Sequence, residues 1–223
     1  MIIAIDGPSG AGKSTLGRML ARELGLLYID TGAMYRAVAL AVIEQSASTT
    51  DDQAIAEIAR RARIDLAGDP DSLRVLLDGR DVSQKIRSPN VSQTASVVST
   101  IPEVRRELVQ RQRELGARGG GVVLDGRDIG TIVFPKADVK FFLTATPEER
   151  ADRRYGEERT RMQDLHYEDV LRDINQRDER DSTRADSPLA IAEDAVVIDT
   201  TEFNIKEVLE KMIAIVREET TKA

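Results

Sequence analysis

An open parallel α/β sheet covered by helices is the fold the sequence predicts, with one small antiparallel insert and a lid added to it. Three observations carry this expectation. Short β-branched apolar runs alternate with stretches of helical periodicity along most of the 223 residues. A glycine-rich loop joins the first such run to the first helical stretch. Between Ile64 and Val82 the rhythm changes to brief apolar runs parted by Gly68, Pro70 and Asp78-Gly79, and Asp-Gly between strand-like runs signals a hairpin.

Taken in order, Ile2, Ile3, Ala4 and Ile5 form a buried strand ending at Asp6. Leu16, Met19, Leu20 and Leu24 fall at helical spacing, and Gly25 is placed to stop that helix. Leu26 to Ile29 is a second strand, followed by a helix over Met34 to Glu44. Ile64–Leu66 and Leu73–Leu77 open the insert, which extends from Ile64 to about Pro102; the alternative is a long irregular excursion of the main domain. Helical stretches follow near Val91–Ser99 and Pro102–Gly116. Further strands are expected at Val122–Leu124, Val139–Leu143 and Ala195–Ile198. Thr146 and Glu149 make a capping box before a helix bearing Arg150, Arg153 and Arg154. Ile205, Val208, Leu209, Met212, Ile213 and Val216 form a last amphipathic helix, capped by Asn204.

Composition narrows the function. With 39 acidic against 32 basic residues the net charge is −7, a poor match to a polyanion, and aromatics are only 4 %, too few for a base-stacking platform. A nucleic-acid binder is therefore not expected. The chain has no cysteine, so disulfides and thiolate metal sites are excluded. No apolar run approaches the roughly 20 residues of a membrane span, and the stretch after Met1 lacks the features of a signal peptide. A cytoplasmic protein is expected, and nothing demands more than a monomer.

The loop Gly7-Pro8-Ser9-Gly10-Ala11-Gly12-Lys13-Ser14 fits G-x-x-x-x-G-K-[ST] at every required position. Its glycines let backbone N–H groups approach phosphate oxygens, and the following helix turns its positive end to the same anion. Lys13 adds a full charge at the β/γ phosphates, and the Ser14 hydroxyl is placed to ligate Mg²⁺. This loop binds a nucleotide but does not name the reaction, since kinases, GTPases and ATPases share it.

Three further clusters bear on the acceptor. The segment from Asp30 to Arg36 closes the second strand, where Thr31 would cap the next helix or bind a phosphate and Arg36 would reach the same anion. Asp125-Gly126-Arg127-Asp128 closes an apolar strand, where a P-loop protein keeps a carboxylate for Mg²⁺ and its waters. Arg177, Asp181 and Arg184 would share one helical face, with Arg180 between them; the bland reading is a solvated, salt-bridged helix. Between Arg150 and Arg161 lie five arginines, which suit either a lid over bound nucleotide or a plain charged helix. His166, the single histidine, reads as structural.

In this order the clusters resemble bacterial cytidylate kinases over essentially the whole chain. The resemblance lies in IDGPSGAGKST at Ile5–Thr15, IDTGAMYRA at Ile29–Ala37, DGRDIGTIVFP at Asp125–Pro135 and RDERDSTRADSPL at Arg177–Leu189. It implies a single P-loop kinase domain over 1–223, a substrate-binding insert at 64–102 and a lid at 150–176. It also implies transfer of the ATP γ-phosphate to CMP or dCMP with Mg²⁺. Carried over by residue, Gly7 to Thr15 would hold ATP, with Arg153 near the adenine. Thr31 and Arg36 would meet the substrate phosphate, while Ser96 and Asp128 would read cytosine. Arg105 and Arg127 would hold phosphate or base edge, Arg177 the transferring phosphates, and Asp181 and Arg184 the pentose. Ser96 and Arg105 rest on a looser local match, SQTASVVSTIPEVRRELVQRQR. Another small-molecule P-loop kinase is the alternative; a guanine-specific switch would need Asn-Lys-x-Asp, which the chain does not contain.

Overall fold

The computed structural model describes residues 1–159 and 165–222. β1 (Ile2–Asp6) runs into the glycine-rich loop, and α1 (Lys13–Leu24) leaves it, ending on Gly25 in the left-handed conformation (φ 65°). β2 (Leu27–Asp30) and α2 (Thr31–Glu44) come next, then α3 (Asp52–Arg61). β3 (Ile64–Ala67), β4 (Arg74–Leu77) and β5 (Arg80–Asp81) form the insert, followed by α4 (Pro89–Val98) and α5 (Pro102–Gly116). β6 (Val122–Asp125), β7 (Val139–Thr144), α6 (Pro147–Glu158), α7 (Tyr167–Thr183), β8 (Val196–Asp199) and α8 (Ile205–Lys222) complete the chain.

The main sheet has the order β2-β6-β1-β7-β8, every pair parallel, so the first strand is central and buried from Ile3 onward. Register sets Asp30 level with Asp125 and Asp125 level with Ile5. Asp6, Asp30 and Asp125 therefore end three adjacent strands at one edge, the carboxyl edge where open α/β sheets bind ligands. One apolar layer packs Met34, Val38 and Val42 of α2 with Ile55, Val91 and Leu108. The opposite layer packs Leu16 and Leu20 of α1 with Val208, Met212 and Val216 of α8.

The small sheet, β3-β4-β5, is antiparallel as expected, and Asp78 and Gly79 make its turn with φ of 51° and 78°. Its Ile64, Val75 and Leu77 belong to the same core as α2 and β6, so the insert is anchored on the main sheet and shares its hydrophobic layer.

Several local expectations change. α2 begins at Thr31, three residues earlier than its apolar pattern, because the Asp30 side chain accepts from the Ala33 N–H at 2.7 Å and caps it. α7 stops at Thr183, so Arg184 is its cap residue and does not share the helical face of Arg177 and Asp181. The capping box at α6 is half-made: Thr146 accepts from the Glu149 N–H, but the Glu149 carboxylate pairs with Arg153. At α8 Asn204 caps as expected, accepting from the N–H groups of Lys206 and Glu207. A π-helical turn at Ile129–Val133 had no periodic signal. Among the described residues no helix is long and apolar enough to cross a membrane.

Candidate active site

The glycine-rich loop is seated on the sheet by a close backbone approach. Gly7 has φ 143°, and a Cβ there would lie 1.9 Å from the Leu143 carbonyl oxygen of β7, so no side chain fits. Lys13 is buried and its Nζ donates to the Pro8 carbonyl at 2.7 Å, folding over the loop it serves. Burial and then Arg127 push its pKa down to about 7, against the opposing pull of Asp125, Asp181 and Asp6. Arg150 secures the loop from outside. It is buried, donates to the carbonyls of Ser9 and Ala145 at 3.0 Å each, and pairs with Asp178 at 2.7 Å. These partners hold the first residue of the 150–176 segment against the loop.

At the sheet edge the Ser14 hydroxyl donates to Asp125 Oδ2 at 2.7 Å and the Tyr28 hydroxyl donates to Oδ1 at 2.8 Å. Burial, then the neighbouring Asp30 carboxylate, raises Asp125 to about 6. Asp6 clips the next loop to the end of β1: its two carboxylate oxygens accept from the N–H groups of Ile129 and Gly130 at 2.8 and 2.7 Å. Burial raises Asp6 to about 6, opposed by those two hydrogen bonds.

The Thr31 hydroxyl neither caps α2 nor stands free; it donates to the Asp125 carbonyl at 2.7 Å. Arg36 pairs with Asp30 at 3.2 Å and has its Nε buried without a partner. Beyond β6 a continuous chain of ion pairs begins. Arg127 meets Asp181 at 2.8 Å, Asp181 meets Arg184 at 3.7 Å, Arg184 meets Asp128 at 3.9 Å, and Asp128 pairs closely with Arg105. Arg105, 2 % exposed, also lies 5.7 Å from the Tyr35 ring centre, a cation–π contact. Asp181 remains ionised despite burial because Arg127 and Arg184 lower its pKa. Arg177 is lowered to about 10 by burial and by the cations Arg154 and Arg127 beside it. Such a surplus of positive charge is what an incoming phosphate would offset.

Six of the sequence-predicted residues, Arg105, Arg127, Asp128, Arg177, Asp181 and Arg184, are thus brought together from α5, the 126–128 loop and α7. Ser96 on α4 joins them through α7, accepting from Arg180 at 2.7 Å. Arg153 bonds elsewhere, to Glu149 and to the Thr200 hydroxyl and carbonyl at 2.9 and 2.7 Å, beyond β8. Of the expected lid at 150–176, residues 160–164, including Arg161, lie outside the described residues. Tyr28 and Asp6 were missed by the sequence reading, and Arg180 was named in its cluster without a role. Asp6 carried a signal, since it ends an apolar strand just as Asp125 does; Tyr28 acts through a remote residue and carried none, and the contact of Arg180 with Ser96 on α4 was not legible from its place in the cluster.

Comparison with known proteins gives the family of the chain. A family model described as cytidylate kinase matches residues 3–218. A cytidylate kinase of Caldanaerobacter subterraneus subsp. tengcongensis is 53 % identical over 218 residues, covering 98 % of this chain and 95 % of that protein. One of Bacillus velezensis is 48 % identical over 216 residues, covering 97 % and 96 %. Among solved structures, a gluconokinase of Sinorhizobium meliloti 1021 superposes with a TM-score of 0.50 at 15 % identity, covering 98 % of this chain and 93 % of that one, a likeness of fold alone.

Proposed function

The chain belongs to the cytidylate kinase family, and from that premise we propose that it transfers the γ-phosphate of ATP to CMP or dCMP, giving ADP with CDP or dCDP. The observation that carries the proposal is the ion-pair chain Arg127–Asp181–Arg184–Asp128–Arg105. It alternates cations suited to a phosphate with carboxylates suited to an amino group and a sugar hydroxyl, beside a nucleotide-binding loop.

ATP lies along Gly7 to Thr15, with its polyphosphate drawing Lys13 off the Pro8 carbonyl, and Arg153 flanks the adenine. The CMP phosphate is held by Thr31, Arg36, Arg127 and Arg177. Asp181 and Arg184 bind the pentose; the 3′-hydroxyl that Asp181 would accept from is common to CMP and dCMP. Asp128 accepts from the C4 amino group of cytosine, supported by Arg105, and Ser96 reads the ring. A phosphate monoester oxygen is already nucleophilic, so no general base is required. It attacks the γ-phosphorus, the bond to the bridging oxygen breaks, and the electron pair leaves on ADP, while Lys13, Arg127 and Arg177 stabilise the charge on the transferring group.

Ser14 and Asp125 offer a hydroxyl and a carboxylate 2.7 Å apart, hard oxygens that suit Mg²⁺. Bound there with ATP, Mg²⁺ supplies neutralisation of phosphate charge. In this reading 64–102 receives the monophosphate, 150–176 closes over ATP, and the enzyme works as a cytoplasmic monomer. Initial rates with ATP across all nucleoside monophosphates test the proposal. CMP and dCMP should be turned over well above UMP, AMP and GMP; equal rates with UMP, or no turnover of dCMP at any concentration, would refute the corresponding part.

A further inference from the structure

Asp125, at the end of β6, is held from two sides. The Ser14 hydroxyl of α1 donates to its Oδ2 at 2.7 Å, and the Tyr28 hydroxyl of β2 donates to its Oδ1 at 2.8 Å. The fold builds in the second donor. Tyr28 lies level with Val123 and Asp30 level with Asp125, and alternate residues of a strand share a face. The Tyr28 side chain therefore starts on the face of Asp125, two residues lower. Two residues span roughly 6.5 Å, a gap that a tyrosine bridges and a serine or threonine does not. Its ring passes α1 at Gly17, where a Cβ would lie 2.9 Å from Tyr28 Cε2. Gly17 follows Ser14 by about one turn of α1, so the same helix supplies one donor and makes room for the other. Tyr28 is 2 % exposed and Asp125 4 %.

An ionised carboxylate has about four lone-pair sites. The two hydrogen bonds take one on each oxygen and leave one on each for a cation or its waters. The donors do not block the carboxylate; they stop it turning. With Ser14 alone, one oxygen would be held and the other would be free to swing about that bond. Removing a group that holds a metal ligand from behind typically weakens metal binding by about 10- to 100-fold.

We propose that Tyr28 is a metal-positioning residue: its hydroxyl holds Asp125 in the orientation in which carboxylate and Ser14 hydroxyl together receive the divalent cation that accompanies the nucleotide. Tyr28 itself touches neither cation nor nucleotide. The inference rests on the placement of Mg²⁺ at Ser14 and Asp125 given above.

The test is a double-mutant cycle with Tyr28→Phe, Asp125→Asn and the pair, reading Mn²⁺ binding to the ADP complex. Mn²⁺ is an oxygen-seeking stand-in for Mg²⁺, and its free form is followed by electron paramagnetic resonance. Tyr28→Phe keeps the ring and removes one oxygen. It is expected to raise the Kd for Mn²⁺ by about 10-fold or more, while ADP affinity in EDTA, read by calorimetry, stays at the parent value. In the Asp125→Asn background the Tyr28 change should have no further effect. Mn²⁺ binding weakened in Asp125→Asn but kept in Tyr28→Phe overturns the proposal alone, as does full additivity of the two changes. An equal loss of ADP affinity in EDTA also overturns it, since the hydroxyl would then shape the nucleotide loop and not the metal site. Mn²⁺ binding kept in Asp125→Asn overturns the placement of Mg²⁺, and the proposal with it.

Discussion

Asp128→Asn separates recognition from stability at the most constrained point of the site. Asp128 is 5 % exposed, pairs closely with Arg105 and lies 3.9 Å from Arg184. A hydrogen bond to a charged group contributes about 1.5–3 kcal/mol, so losing the carboxylate facing the C4 amino group should lower kcat/KM for CMP by roughly 10- to 150-fold. The asparagine amide can also donate to the C4 carbonyl of UMP, so UMP gains as CMP loses. Starting from discrimination on the order of 10⁴, the range open to a site that leaves buried polar groups unpaired with the wrong substrate, the ratio should fall to about 100 or below. The fold is affected separately. Removing one partner of a buried ion pair costs about 3–5 kcal/mol, and the asparagine oxygen still accepts from Arg105, which brings the expected loss to about 1–3 kcal/mol. At this size each kcal/mol shifts Tm by about 2–4 °C, so Tm should drop by roughly 2–12 °C. Initial rates of ADP formation with CMP and UMP, alongside thermal unfolding, measure both effects. A folded variant whose CMP/UMP ratio stays within twofold of the parent would refute the assignment of Asp128 to the base.

Lys13→Ala should lower kcat by about 10³ or more while circular dichroism stays native, since among the described residues the side-chain hydrogen bond lost is the one to the Pro8 carbonyl; substantial turnover by the folded variant would contradict the phosphate role. The pKa of Lys13, about 7 in the nucleotide-free protein against 10.5 ordinarily, gives a pH signature. Between these values the unfolded chain binds more protons at this residue than the native state, so its contribution to stability rises with pH across that window. ATP should restore the charge, so its binding should take up close to one proton at about pH 8–8.5, read by calorimetry in buffers of different ionisation enthalpy; zero uptake would show that Lys13 is already charged. Gly7→Ala places a Cβ 1.9 Å from the Leu143 carbonyl at φ 143° and should destabilise by at least about 3 kcal/mol. A denaturant midpoint unchanged from the parent would mean the loop can leave β7 without cost.

The sequence by itself determined the periodic and local features. Apolar alternation and the loop between β1 and α1 were legible because burying one face of each element dictates its pattern. Gly25, Asp78-Gly79 and Asn204 were legible because left-handed turns and helix caps admit few residue types. The nucleotide loop was legible because phosphate binding needs glycines and a lysine at fixed spacing. What the tertiary structure decided were the partners. Asp30, rather than Thr31, caps α2, and Thr31 turns instead to the Asp125 carbonyl contributed by a strand 94 residues further along the chain. Arg184 reaches Asp128 and Asp181 from the end of α7, not from its face. Arg150, one of several similar arginines in sequence, is the one buried against Ser9, and Arg180 is the one that meets Ser96. Residue type sets what a side chain can donate or accept, but only the packing of distant strands and helices sets which group it meets, and the function of this chain lies in those meetings.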